Sequence, residues 1–173
     1  MSRILRDAAE KAPIFIVSVE GGKKDNAIPR ECLSEIIVEE DKAEAVKAAV
    51  EEAVNEIREE FASSDADFNV TTELSDGCSV KAVTKEDSAK AVALIQSLPN
   101  GIMRMSQDID NLVETSLNLG IISLDESGIC LRFALRSSVG VALKNLKNQI
   151  ACVGKTYGGS VEFTGEYPAW EYK

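Results

Sequence analysis

The chain contains no histidine. Imidazole is the usual acid–base group near neutral pH and a common zinc ligand. For this chain by itself, its absence therefore excludes histidine-based proton transfer, Ser–His or Cys–His nucleophile pairs and histidine-containing metal sites. Cysteine is also scarce, with four residues at Cys32, Cys78, Cys130 and Cys152. None of them forms a C-x-x-C pair, so the pattern indicates buried structural thiols in a reducing compartment and no zinc knuckle.

Positive charge is in short supply. Lysine and arginine total 19 against 29 acidic residues, which gives a net charge of -10. Binding to nucleic acid needs clustered basic residues, so we expect no nucleic-acid partner. No uncharged run approaches the length that crosses a bilayer, and the charges between Arg3 and Lys11 are unlike a signal peptide. These features predict a cytoplasmic protein with no membrane partner.

Hydrophobic periodicity predicts an alternation of helices and antiparallel strands. The predicted helices cover 1–12, 41–61, 84–98 and a segment that begins at Ser137 or Ser138 and ends before Gly154. The predicted strands cover 14–19, 31–39, 68–72, 78–83, 112–119, 129–136 and 161–164, with a tight turn at Asp76-Gly77. Asp41 with Glu44, and Thr84 with Asp87, have the spacing of helix-capping pairs.

The two halves of the chain, 1–74 and 75–173, read as repeats of one unit. Residues 17–33 align without a gap on 115–131, and the alignment pairs Gly22 with Gly120, as well as Ser18 with Ser116, Cys32 with Cys130 and Leu33 with Leu131. The second half has the βαββαβ order of a ferredoxin-like unit, and the first half lacks only the opening strand. We therefore predict an α+β fold of two tandem ferredoxin-like units with antiparallel sheets, forming a single domain over 1–173 that is part of a longer protein.

Five side chains are candidates for binding a polar ligand. Asn26 precedes Pro29 in a rigid turn and could present its amide, although the same pattern also suits an ordinary turn before an edge strand. Arg136 stands at the end of an alternating strand, where its guanidinium could hold a carboxylate or simply be solvated. Arg132 lies on the same face of that strand and competes for the role. Arg104 and Asn118 are weaker candidates.

Several segments together resemble the aminoacyl-histidine dipeptidases (Xaa-His dipeptidases, peptidase D) of the zinc aminoacylase and carboxypeptidase clan. The similar segments are NAIPRE at 26–31, PNGI at 99–102 with Arg104 and Ser106, VETSLNLG at 113–120, Arg136-Ser137 and YPAW at 167–170. Their order and approximate spacing agree over nearly the whole chain. VETSLNLG is fairly specific, whereas NAIP alone would be a weak signal.

The resemblance implies that the chain is the lid or dimerisation domain of a dipeptidase that hydrolyses Xaa-His and related dipeptides. In that family a separate catalytic domain binds two zinc ions and supplies a glutamate as general base. The lid contributes an asparagine, an arginine and a histidine from an upstream segment, and Asn26 and Arg136 match the first two. This chain would then hold no metal ligand or catalytic residue, would be inactive alone, and would form a homo-oligomer.

Two other functions fit the predicted fold. One is a free-standing small-molecule sensor built from tandem ferredoxin-like units, and the other is a module that serves only oligomerisation. An RNA-binding variant of the fold is disfavoured by the negative charge and by the lack of paired aromatic residues on the strands.

Overall fold

The computed structural model describes residues 1–75 and 80–165. Its helices are α1 Ser2–Lys11, α2 Ala43–Glu60, α3 Lys85–Ser97 and α4 Gly140–Thr156, with a 3-10 turn at Glu40–Lys42 before α2. Its strands are β1 Phe15–Gly21, β2 Cys32–Ile37, β3 Gly101–Met105, β4 Val113–Asp125 and β5 Gly128–Ser137. The predicted α+β class is confirmed.

The five strands form one sheet in the order β2-β1-β4-β3, and β5 also pairs with β4. The β3 strand runs antiparallel to β4, with Gly101 opposite Leu117 and Met105 opposite Val113. The β4–β5 hairpin extends over the full length of β4, because Ser138 N–H still donates to Glu114 O at 3.1 Å. One edge of β4 is therefore occupied by β5, so β1 and β3 pair with successive stretches of the other edge.

The repeat seen in the sequence recurs as a β-β-α order. In the first half β1 and β2 precede α2, and in the second half β4 and β5 precede α4. The aligned strands β1 and β4 are neighbours in the sheet. The remaining details of the tandem topology stay a prediction.

Three predicted strands pair with no other strand in the part of the chain that the structure describes. They are 68–72, the described part of 78–83, and 161–164. Each is short, and in two of them a backbone amide bonds outside a strand ladder: Phe68 N–H closes a turn on Asp65 O at 3.1 Å, and Val83 N–H donates to Ile16 O at 2.7 Å. Conversely, β3 was not predicted, because its ladder is bulged and lacks a regular apolar alternation. The turn predicted at Asp76-Gly77 lies outside the described residues.

Two further expectations were wrong. No side-chain hydrogen bond from Asp41 caps α2, because the 3-10 turn displaces the helix start to Ala43. The second capping pair is present, since Asp87 N–H donates to Thr84 Oγ1 at 3.1 Å. The described cysteines Cys32, Cys130 and Cys152 are exposed rather than buried, and none forms a disulfide. Cys78 lies outside the described residues.

The chain divides into two compact units that interleave along the sequence. The first comprises Met1–Val19, Leu124–Gly128 and the described part of Leu33–Ala93. Its core residues come mainly from α1, β1 and α2: Ile4, Leu5, Ala8, Ile16, Val19, Val46, Ala49, Val50, Ala53, Val54 and Ile57. Ser88 is fully buried and satisfied, because its hydroxyl accepts Ile16 N–H at 3.0 Å and donates to Val83 O.

The second unit comprises Glu20–Cys32, Leu94–Ser123 and the described residues from Ile129 onward. Its core is built on one face of the β4–β5 hairpin, where Leu117, Phe133 and Leu135 pack against Leu146 and Ile150 of α4. Every candidate binding residue belongs to this unit. None of the described helices has both the length and the apolar character needed to span a membrane.

Candidate functional site

The candidate site is built around the loop 22–31, which connects β1 to β2. Its base is closed by Gly22 N–H, which donates to Glu31 O at 3.3 Å. An exposed ion pair between Lys23 Nζ and Glu31 Oε1 at 2.6 Å joins the same two ends. The hydrogen bond from Lys23 lowers the pKa of Glu31, and the reciprocal bond raises the pKa of Lys23. The two ends of the loop are therefore bonded to each other where the loop leaves and rejoins the sheet.

A β-turn inside this loop presents Asn26. Ala27 N–H donates to Lys24 O at 3.3 Å, which places Asn26 at the third position of the turn. The Asn26 side chain is exposed and makes no hydrogen bond with any described residue. Its amide is thus exposed, and the binding of a ligand by Asn26 stays a prediction.

Asn118 of β4 holds this turn in place. Its Nδ2 donates to Asp25 O at 3.1 Å and to Ala27 O at 2.8 Å, the carbonyls on either side of Asn26. Both amide hydrogens of Asn118 are therefore used within the chain, which leaves only its carbonyl oxygen for a ligand.

Two glycines allow the loop to approach the sheet closely. A Cβ on Gly120 would overlap the backbone of Asp25, and a Cβ on Gly22 would overlap the carbonyl oxygen of Gly120. Gly22 also has φ +72, a left-handed conformation that favours glycine. These are the two glycines that the repeat aligns with one another, so the alignment identified a point of contact.

Arg132 and Arg136 lie on the same face of the hairpin as Asn118. Strand alternation places them opposite Phe133 and Leu135, which pack toward α4, and it places Asn118 opposite the buried Leu117. Both arginines are exposed, and neither has an ion-pair or hydrogen-bond partner among the described residues. Either guanidinium is therefore accessible to a carboxylate.

Arg104 has a partner within the chain. Its Nε lies 3.4 Å from Oε1 of Glu114, a carboxylate whose residue is only 8% exposed. Glu114 and Thr115 are both buried at a point where the β3–β4 register shifts. Since a buried carboxylate is costly without compensating charge, Arg104 stabilises this irregular ladder.

The exposed groups of this unit suit the binding of a polar ligand. They include the neutral amide of Asn26 and the guanidinium groups of Arg132 and Arg136, which can bind a carboxylate. No group of three or more Cys, Asp or Glu side chains in 1–75 and 80–165 could hold a metal ion. The donor set of this part of the chain does not fit a zinc pair.

The sequence alone did not reveal the contacts that organise the loop. The bonds of Asn118 join residues 93 and 91 positions apart, and no local pattern reports such pairs. One signal was available, because asparagine is depleted from strand interiors and Asn118 stands between Leu117 and Leu119 in the middle of a strand. The YPAW segment of the resemblance lies outside the described residues.

Two dipeptidases match almost the entire chain. The cytosol non-specific dipeptidase of Escherichia coli (strain K12) is 28% identical over 170 residues, which cover 98% of this chain and 35% of that protein. The crystal structure of the aminoacylhistidine dipeptidase from Vibrio alginolyticus has a TM-score of 0.88 at 26% identity, and the match covers 99% of this chain and 35% of that chain. No family model matches. The resemblance to aminoacyl-histidine dipeptidases is confirmed, and this chain spans about a third of the length of these relatives.

Proposed function

We propose that this chain is the lid or dimerisation domain of a cytoplasmic dipeptidase that hydrolyses Xaa-His and related dipeptides. The observation that carries the proposal is the match of almost the whole chain to about one third of two dipeptidases. In this role the domain captures substrate and excludes water on closure, while a separate domain supplies the chemistry.

Asn26 and Arg136 are the proposed substrate-binding residues. The amide of Asn26 would hydrogen-bond the dipeptide, and the guanidinium of Arg136 would hold its carboxylate with paired, charge-assisted hydrogen bonds. Arg132 is the alternative for the second role. Two zinc ions would belong to the catalytic domain, where they activate water; the residues of this chain bind and orient the substrate.

The test begins with the source gene and proceeds to the enzyme that carries this domain. Coding sequence that flanks the segment should supply the His, Asp and Glu ligands of a metallopeptidase. If the gene encodes no such ligands, the dipeptidase proposal fails.

In that enzyme, Arg136→Ala should lower kcat/KM for an Xaa-His dipeptide by about 100-fold, because the substrate carboxylate loses its charged partner. Arg132→Ala is the matched control, since it removes the same group from the same face of β5. Its effect should be within about threefold of wild type. Equal losses in both variants would contradict the assignment of the carboxylate to Arg136.

A further inference from the structure

The side-chain amide group of Asn118 bonds to the turn that contains Asn26. Both of its amide hydrogens go to backbone carbonyls of the turn, Asp25 O at 3.1 Å and Ala27 O at 2.8 Å. The first carbonyl belongs to the peptide unit before Asn26 and the second to the peptide unit after Ala27, so the two bonds hold the turn on either side of the Asn26–Ala27 pair. A single bond would leave the turn free to rotate about it, whereas two bonds define its orientation.

The strand beneath the turn leaves space for its backbone. Gly120 lies two residues after Asn118 on the same face of β4, and its missing side chain leaves the space that the Asp25 backbone occupies. The neighbouring Leu119 donates its N–H to Asn100 Oδ1 at 2.8 Å, a bond that involves the strand but no group of the turn.

We propose that Asn118 is a positioning residue that holds the Asn26 turn in its ligand-presenting conformation, with Gly120 providing the space for it. The loop depends on this support, because residues 23–30 are all exposed and Ile28, the large apolar residue of the loop, is 83% exposed. Such a segment gains little stability from apolar burial, so hydrogen bonds determine its order. The consequence for catalysis depends on the proposed function; the structural role does not.

The role can be tested in the full chain without any substrate. Lys23, Lys24 and Arg30 give trypsin three cleavage points in the loop, and Lys144 in α4 of the same unit is a reference. Limited proteolysis read by mass spectrometry gives the ratio of loop cleavage to reference cleavage. This ratio separates release of the loop from general unfolding.

Asn118→Ala should raise this ratio by about tenfold, because the turn loses both of its hydrogen bonds to the sheet. Gly120→Ala should raise it by about as much through steric displacement of Asp25. Asn100→Ala is the matched control, since it removes another asparagine side chain that bonds β4 but does not contact the loop, and its ratio should stay at the wild-type value. An unchanged ratio in Asn118→Ala, or a rise in loop and reference cleavage together, would overturn the proposal.

A second variant separates hydrogen-bond donation from side-chain volume. Asn118→Asp places a carboxylate against two carbonyl oxygens, which raises the pKa of that carboxyl and repels the turn when it is ionised. Hydrogen exchange of the Ala27 amide should then be about tenfold faster than wild type at neutral pH, and the difference should shrink on acidification, when the protonated carboxyl can donate again. A pH-independent difference would contradict a donor role.

The same variants distinguish this inference from the proposed function. In the enzyme that carries the domain, Asn118→Ala should raise KM about tenfold with a smaller change in kcat, because the bound turn must be ordered at each binding event. If loop cleavage rises but KM is unchanged, the positioning of the turn stands and the substrate role of Asn26 fails. If loop cleavage does not rise, the inference fails whatever the activity.

Discussion

At the scale of single residues, the structure separates three arginines that look equivalent in the sequence. Arg104 is paired with the buried Glu114, whereas Arg132 and Arg136 have no partner among the described residues. A side chain that compensates a buried charge is not available to a ligand at no cost. The two arginines of β5 thus remain as candidates for binding a substrate carboxylate.

Arg104→Ala should lower the free energy of unfolding by about 1–2 kcal/mol, because it leaves the Glu114 carboxylate without its cation. The figure is at the low end for a buried pair, since the Arg104 side chain is 46% exposed and solvent screens it. Urea denaturation measures the change. In the double variant Arg104→Ala with Glu114→Gln most of the loss should be recovered, and a loss that persists would show that the charge pair is not its cause.

At the same scale, the candidate site could be predicted only in part. A turn at Asn26 and a shared face for Arg132 and Arg136 follow from local patterns, because turn residues and strand alternation act over a few positions. The support that Asn118 gives to the turn could not be predicted in this way. It depends on which strand the fold places beneath the loop.

At the scale of secondary-structure elements, the long periodic segments were predicted well and the short ones were not. The α2 helix has an apolar stripe along its whole length, so it could be predicted without knowing which elements pack against it. The segment 161–164 is apolar enough for a strand, but Val161 packs on the α4 core instead of joining the sheet. Strand formation needs a partner edge, which local sequence does not report.

Helix capping also depends on where the helix begins in the folded structure. Its contribution to stability can be measured. Thr84→Ala should destabilise the chain by about 1 kcal/mol, because the Asp87 amide at the start of α3 loses its acceptor. Asp41→Ala is the matched control, since Asp41 has the capping spacing but makes no capping bond to α2. Thermal or urea unfolding compares the two variants, and an equal loss in both would contradict the assignment of the caps.

At the scale of the whole molecule, the proposed function makes the chain a binding component of a larger enzyme. Purified alone, it should neither bind zinc tightly nor hydrolyse an Xaa-His dipeptide, because it has no histidine and no cluster of metal ligands in 1–75 and 80–165. Equilibrium dialysis with zinc and a dipeptidase assay test this. Hydrolysis by the pure chain that a chelator abolishes would contradict it.

Self-association is the second property expected at this scale. Among the described strands, β3 pairs only with β4, and Ile102, Met103 and Met105 on it are at least 40% exposed. An apolar edge strand favours pairing with another chain, so we expect a dimer at micromolar concentrations.

Light scattering over a concentration series measures the oligomeric state. Ile102→Lys should shift the chain to the monomer, because a charge on an edge strand opposes pairing. Val141→Lys is the control, since Val141 is equally apolar and more exposed but lies on α4. A monomeric wild type, or an equal shift in both variants, would contradict dimerisation through β3.

The sequence by itself determined the α+β class, the positions of the four helices, the repeated hairpin-helix order and the exclusion of histidine chemistry. These properties depend on composition and on periodicities that span neighbouring residues, so their signals can be found in the sequence itself. Only the tertiary structure decided that β3 joins the sheet, that Arg104 is committed to Glu114, and that Asn118 and Gly120 support the Asn26 turn. Each of these depends on backbone groups distant in sequence being brought within hydrogen-bonding or van der Waals distance, which the fold alone determines.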